Sequence, residues 1–121
     1  PINPYGGGAV DVFGYTSRGG VVSAVESAVY WARLAGHEGD GLSRQWRDSA
    51  ADDGTSLESL SWSAAGKAPV VLVSVIGGGH TIPHPRYRMP RILGPTSHEF
   101  DAAAVIWNFL ATGDANLQLA R

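Results

Sequence analysis

The stretch that most restricts this chain is PVVLVSVIGGGHTIPH, residues 69 to 84. Val70 to Ile76 is too short and too rich in β-branched side chains for a helix. It predicts a strand buried on both faces, central in a sheet with neighbours on both edges, at least one of them upstream of residue 1. Gly77, Gly78 and Gly79 then remove every Cβ, so the backbone can turn and pass close to another segment. Pro83 and Pro85 forbid a helix and stiffen the exit. The result is an imidazole, His80, at the carboxyl end of a strand, where open α/β sheets place their ligands. Two readings fit such a histidine: a general base, or an ordinary loop residue. A metal site at His80 and His84 is not expected. Their spacing suits one face of a helix, which the prolines exclude, and no third ligand is near in sequence.

With 121 residues, 44% of them hydrophobic and 17% charged, the chain has the make-up of one globular domain. A net charge of −2 provides no attraction for nucleic acid or an anionic membrane, and neither is expected as a partner. No apolar run is long enough to span a bilayer, and no signal peptide is visible. Cysteine is absent, which excludes disulfides and thiolate chemistry. The start at Pro1 predicts a processed or excised piece of a longer chain.

Taken in order, Pro1 to Gly8 is turn material, and Ala9 to Phe13 a short extended piece. Gly14 to Gly20 is a glycine-rich loop that falls short of the G-x-S-x-G elbow, because Gly14 and Ser17 are one residue too far apart. Ser23 and Glu26 form a capping box that opens a helix over 23–35, with Gly36 as its stop. Val22, Val25, Val29 and Ala32 recur at helical spacing as its buried face, widened by Tyr30 and Trp31. Residues 37–54 are polar, with a short helix within Leu42 to Ala50, and Asp48, Asp52 and Asp53 read as a solvated loop, not a calcium site. Thr55 to Ser63 predicts a strand with Leu60 and Trp62 on one face. The short connection to Val70 makes the two strands an antiparallel hairpin. Arg86 to Pro95 is basic and lacks periodicity. Thr96 and Glu99 match a second capping box, predicting a helix with Phe100, Ala103, Ala104, Trp107 and Leu110 buried and Gly113 at its end. Residues 114–121 read as a tail, leaving 1–113 as the domain.

Four segments, in order along nearly the whole chain, resemble one branch of the α/β-hydrolases. They are Pro1-Ile-Asn-Pro-Tyr-Gly-Gly7, Ser23 to Gly36, Gly77-Gly-Gly-His-Thr-Ile-Pro83, and Pro90-Arg-Ile-Leu-Gly-Pro-Thr-Ser97 with the Trp107-Asn-Phe109 helix. The branch is that of polyhydroxybutyrate depolymerases and feruloyl or acetyl-xylan esterases, the LpqC-like group. The resemblance implies an α/β fold: the carboxyl-terminal part of a hydrolase sheet, with two main helices and a β-hairpin. It implies that His80 is the histidine of a Ser–Asp–His triad, and that no cofactor is used. It also implies an ester substrate in the intact enzyme, a polyester or a plant cell-wall ester, contacted by Tyr5, Ile82 and His84.

By the same resemblance the acid lies just upstream of Pro1 and the serine elbow further upstream, so this chain alone is expected to be inactive. Ser17 and Asp11 are the first residues to examine should it prove active. Ile82 stands where relatives carry tryptophan and His84 where they carry glycine, which alters the rim beside His80. His37 stands where relatives, commonly secreted, carry a cysteine. A half-sheet with an open strand edge predicts a homo-oligomer, or association with a missing amino-terminal half. A non-catalytic binding module on the same scaffold is the alternative function.

Overall fold

The computed structural model describes residues 3–11, 14–15, 19–46 and 53–119. It contains both helix and strand, arranged as two small sheets and two helices. Ser17, Asp48 and Asp52, singled out above, lie outside the described residues, as does part of the short helix suggested before Ala50.

β1 (Gly8–Ala9) and β2 (Gly20–Val21) form a short antiparallel ribbon, with Gly8 opposite Val21. Gly7 makes the turn into it at φ 80°, and a Cβ there would sit 2.9 Å from the Ser23 nitrogen. Helix α1 (Ala24–Leu34) follows. Its capping box is present: the Glu26 amide donates to Ser23 Oγ at 3.1 Å, and the Ser23 amide donates to Glu26 Oε2 at 2.9 Å. Backbone and then side-chain hydrogen bonds from Ser23 hold the Glu26 carboxyl below the usual carboxylate range. The helix ends in a Schellman motif, with Gly36 at φ 84° and its amide donating to the Arg33 carbonyl while the His37 amide donates to that of Ala32.

The second sheet is an antiparallel meander of β3 (Leu42–Trp46), β4 (Ser56–Trp62) and β5 (Val70–Ile76), in that spatial order. The strand over Val70–Ile76 and the hairpin joining it to β4 are as the residues predict. The central strand, however, is β4. Among the described residues β5 pairs on one side only, and most of its side chains are half-buried rather than enclosed. The neighbour expected on β5's second edge is not among the described residues. Over the described part of the suggested short helix the chain forms β3 instead, where Leu42, Arg44 and Trp46 share one face and the Arg44 guanidinium covers the Trp46 ring at 3.8 Å. Gln45 stands opposite Glu58 and donates to it at 3.3 Å. Five mostly exposed residues carry too weak an alternation to announce a strand; pairing with β4 makes it one.

Side chains of the sheet alternate between two small cores. On one face Leu60, Trp62, Val70 and Leu72 pack under Ala28, Val29 and Ala32 of α1. The helix thus buries its alanine stripe, whereas Val22 and Val25, expected inside, are exposed with Tyr30 and Trp31. Small residues let α1 lie close on β5, and the neighbouring valines rotate outward. On the other face Leu57, Val73 and Val75 meet Phe100, Ala102 and Leu119.

Helix α2 (Ala102–Thr112) starts later than Thr96 and Glu99 suggest. Its N-cap is Asp101, whose Oδ1 accepts from the Ala104 amide at 3.0 Å. Thr96 instead accepts from the Met89 amide, and the Ser97 carbonyl accepts from the amide of His84, so residues 96–100 form a mostly buried, non-helical stretch. Moving the start also changes the buried face. Ala102 and Val105 pack inward, while Ala103, Ala104, Trp107 and Leu110 face out. Gly113 closes the helix at φ 67° as expected. Residues 114–119 form no regular element, yet Leu119 is only 1% exposed and belongs to the core.

Candidate functional site

β5 ends at Ile76 and Gly77 turns the chain at φ 76°. Gly79, His80 and Thr81 are gripped by the segment around the 3₁₀ turn Arg91–Leu93. The Gly79 amide donates to the Pro95 carbonyl at 2.8 Å, the His80 amide to the Leu93 carbonyl at 2.6 Å, and the Thr81 hydroxyl to Pro95 at 3.0 Å. Gly79 faces Gly94 so closely that an added Cβ would lie 2.6 Å from the Gly94 Cα and run into the Leu93 carbonyl. Two of the four segments singled out above are therefore one physical unit: Leu-Gly-Pro clamps Gly-Gly-His. The glycines serve the close approach anticipated for them.

The clamp fixes the backbone of His80 and leaves its side chain exposed at the crest of β5. An open crevice of about 890 Å³ lies before it, walled by Tyr5, Asp11, Val22, Val75, Ile92 and others. Among the described residues no side chain hydrogen-bonds the His80 ring. Tyr5 reaches the crevice because the Tyr5 carbonyl accepts from the first amide of α1, Ala24, at 2.9 Å. Its hydroxyl lies 2.6 Å from Ser74 Oγ, a buried polar atom in an otherwise apolar strand. Ser74 escaped the sequence reading, although a lone hydroxyl inside a valine run was its visible signal. Asp11 lines the same crevice, one oxygen accepting from the Gly14 amide at 2.7 Å.

Ile82 and His84 are not brought into this crevice. Ile82 is exposed. His84 turns into an internal network: its Nδ1 accepts from the amides of Arg86 and Tyr87 at 3.0 and 3.1 Å, so the proton of the neutral ring sits on Nε2. Nε2 in turn faces Asp101 Oδ2 at 3.6 Å. The ring packs beside Tyr87 at 4.5 Å between centroids. His84 thereby shapes the turn between the His80 loop and the cap of α2.

What surrounds His80 has the parts a proton-relay site needs on one side: an accessible imidazole, a fixed backbone and a mostly apolar cavity. A hydroxyl nucleophile and an acid bonded to the ring are not seen among the described residues. No group of three or more His, Asp or Glu side chains among them is arranged to hold a metal. No helix among them is long and apolar enough to cross a membrane. Comparison with family models, with curated proteins and with solved structures finds no match for this chain.

Proposed function

We propose that this chain carries the histidine-bearing part of a carboxylic ester hydrolase of the α/β-hydrolase fold, with His80 as the proton relay. The observation that carries the reading is the clamp. Two amides and one hydroxyl of the Gly-Gly-His loop are bonded to Leu93 and Pro95, so an exposed imidazole is held at the end of β5 above a mainly apolar crevice. A surface histidine with no task does not need a backbone built so tightly around it. In the reaction, a serine hydroxyl supplied from outside the described residues attacks the ester carbonyl as His80 takes its proton. The imidazolium then returns that proton to the departing alkoxide, leaving an acyl-enzyme that water resolves. Tyr5 forms a wall of the acyl or alcohol pocket. Polyesters and plant cell-wall esters are the substrate classes the resemblance suggests.

The test is hydrolysis of p-nitrophenyl butyrate, with a serine-directed fluorophosphonate as inhibitor. Residues 1–121 alone are expected to show no sustained turnover and no labelling. The protein translated with any coding sequence preceding residue 1 is expected to turn over, and His80→Ala to abolish that turnover. Activity untouched by His80→Ala ends the reading. A second reading, a non-catalytic binding module, is favoured by the absence of an acid bonded to the His80 ring among the described residues. It predicts no turnover in either form of the protein.

A further inference from the structure

The basic stretch after the histidine loop has no part in the reading above. Between Glu58 and Glu99 the sequence holds no acidic residue, but it holds Lys67, Arg86, Arg88 and Arg91. Arg88 and Arg91 are exposed and line a second crevice of about 500 Å³, with Asp53, Thr96 and His98. Neither guanidinium has a carboxylate partner within ion-pair distance among the described residues.

Asp53 keeps its negative charge in this crevice but forms no ion pair with either guanidinium. Its Oδ1 accepts from both the amide and the hydroxyl of Thr55, at 2.9 and 2.6 Å, and its Oδ2 accepts from the His98 amide at 2.8 Å. The His98 ring is oriented as well. Nδ1 lies 2.8 Å from the His84 carbonyl, which can only accept, so Nδ1 carries a proton and Nε2 remains available. The floor is firm: Gly94 is packed against Gly79, and the Met89 amide donates to Thr96 Oγ1.

From this arrangement we infer that the crevice is a binding site for a small oxyanion, a phosphoryl or carboxylate group held by the Arg88 and Arg91 guanidiniums. Planar guanidinium forks match oxyanions of either kind, and among the described residues that line this crevice two guanidiniums outnumber the one carboxylate, Asp53. The 3₁₀ turn Arg91–Leu93 is the wall between the two crevices: Arg91 faces this one, Ile92 and Leu93 the one before His80. An oxyanion here would therefore sit behind the His80 loop rather than in its path. The inference needs neither an ester substrate nor a reactive His80, so it stands or falls apart from the hydrolase reading.

Inorganic phosphate and malonate, titrated separately into ¹⁵N-labelled protein at constant ionic strength balanced with sodium chloride, provide the test. Saturable amide shifts confined to residues 53–55 and 88–98 are expected with at least one of them, and the tighter binder identifies the source of the oxyanion. The exposed pair Arg88→Gln with Arg91→Gln is expected to weaken binding at least about tenfold. Arg86→Gln, just outside the crevice, is expected to leave it unchanged. Shifts that fail to saturate with both anions, or that survive in the double variant, overturn the site.

Discussion

Two Gly-His pairs stand at opposite ends of β5, and they have opposite fates. Gly36-His37 follows α1 and meets the start of the strand; Gly79-His80 follows its end. His37 is 5% exposed, with Nε2 donating to the Ala68 carbonyl at 2.8 Å. Around it Lys67 Nζ reaches the Gly36 carbonyl, Arg33 bonds the carbonyls of His37 and Gly39, and the Trp62 indole donates to Gly39. That end of the sheet is sealed. At the other end the hydrogen bonds go to the His80 backbone and its ring is left in solvent. A histidine becomes available for chemistry when its surroundings satisfy its main chain and spare its imidazole; it becomes structure when they consume the ring.

The largest effect expected from breaking this contrast is at the open end. Gly79→Val places side-chain atoms against the backbone of Leu93 and Gly94, and should cost about 2–3 kcal/mol in a urea melt. A wild-type midpoint would mean that Gly79 does not lie against Leu93 and Gly94 in solution. Next comes the contrast itself. His37→Ala leaves the Ala68 carbonyl without its donor and opens a hole, for about 2 kcal/mol. His80→Ala should change stability by less than about 0.5 kcal/mol. Equal losses in the two variants would erase the distinction between a structural and a free imidazole.

Smaller effects sharpen it at the helix ends. Ser23→Ala and Asp101→Ala each remove an N-cap acceptor and should cost about 1 kcal/mol by denaturation. A neutral Asp101→Ala would argue that α2 begins elsewhere. The smallest effect is in acid. Burial raises the Asp53 pKa, but hydrogen bonds from Thr55 and the His98 amide outweigh it, leaving the carboxyl below its ordinary 3.8. A carboxylate depressed in the folded state contributes stability above its unfolded pKa, lost as pH falls through the folded value. Asp53→Asn should therefore flatten the acid limb of a melting-versus-pH curve below about pH 4, with the slope unchanged between about pH 6 and 8.

Legibility followed the range of the interaction. Helix α1 could be read at both ends because its caps are settled by bonds from Ser23 to Glu26 and from His37 to Ala32. The capping signature at Thr96 and Glu99 has the same spelling and failed, since Met89 and His84 had already claimed that stretch of chain. The prominence of His80 was visible in its glycines, and so was the exclusion of a helix around it. The Tyr5–Ser74 contact was not, being 69 residues apart in sequence.

The amino-acid order alone determined the strand over Val70–Ile76, its hairpin with β4, the limits of α1 and a backbone loose enough at Gly77–Gly79 to bend. Those follow from sterics and hydrogen bonds within a few residues. Tertiary packing decided that β4 is the middle strand of the three described, that α1 lies on its alanines, that Leu93 and Pro95 hold the histidine loop, and that one imidazole is sealed while the other is exposed. Each of these turns on which distant segments claim the same hydrogen-bonding groups and the same apolar surface, a competition that no local pattern can express.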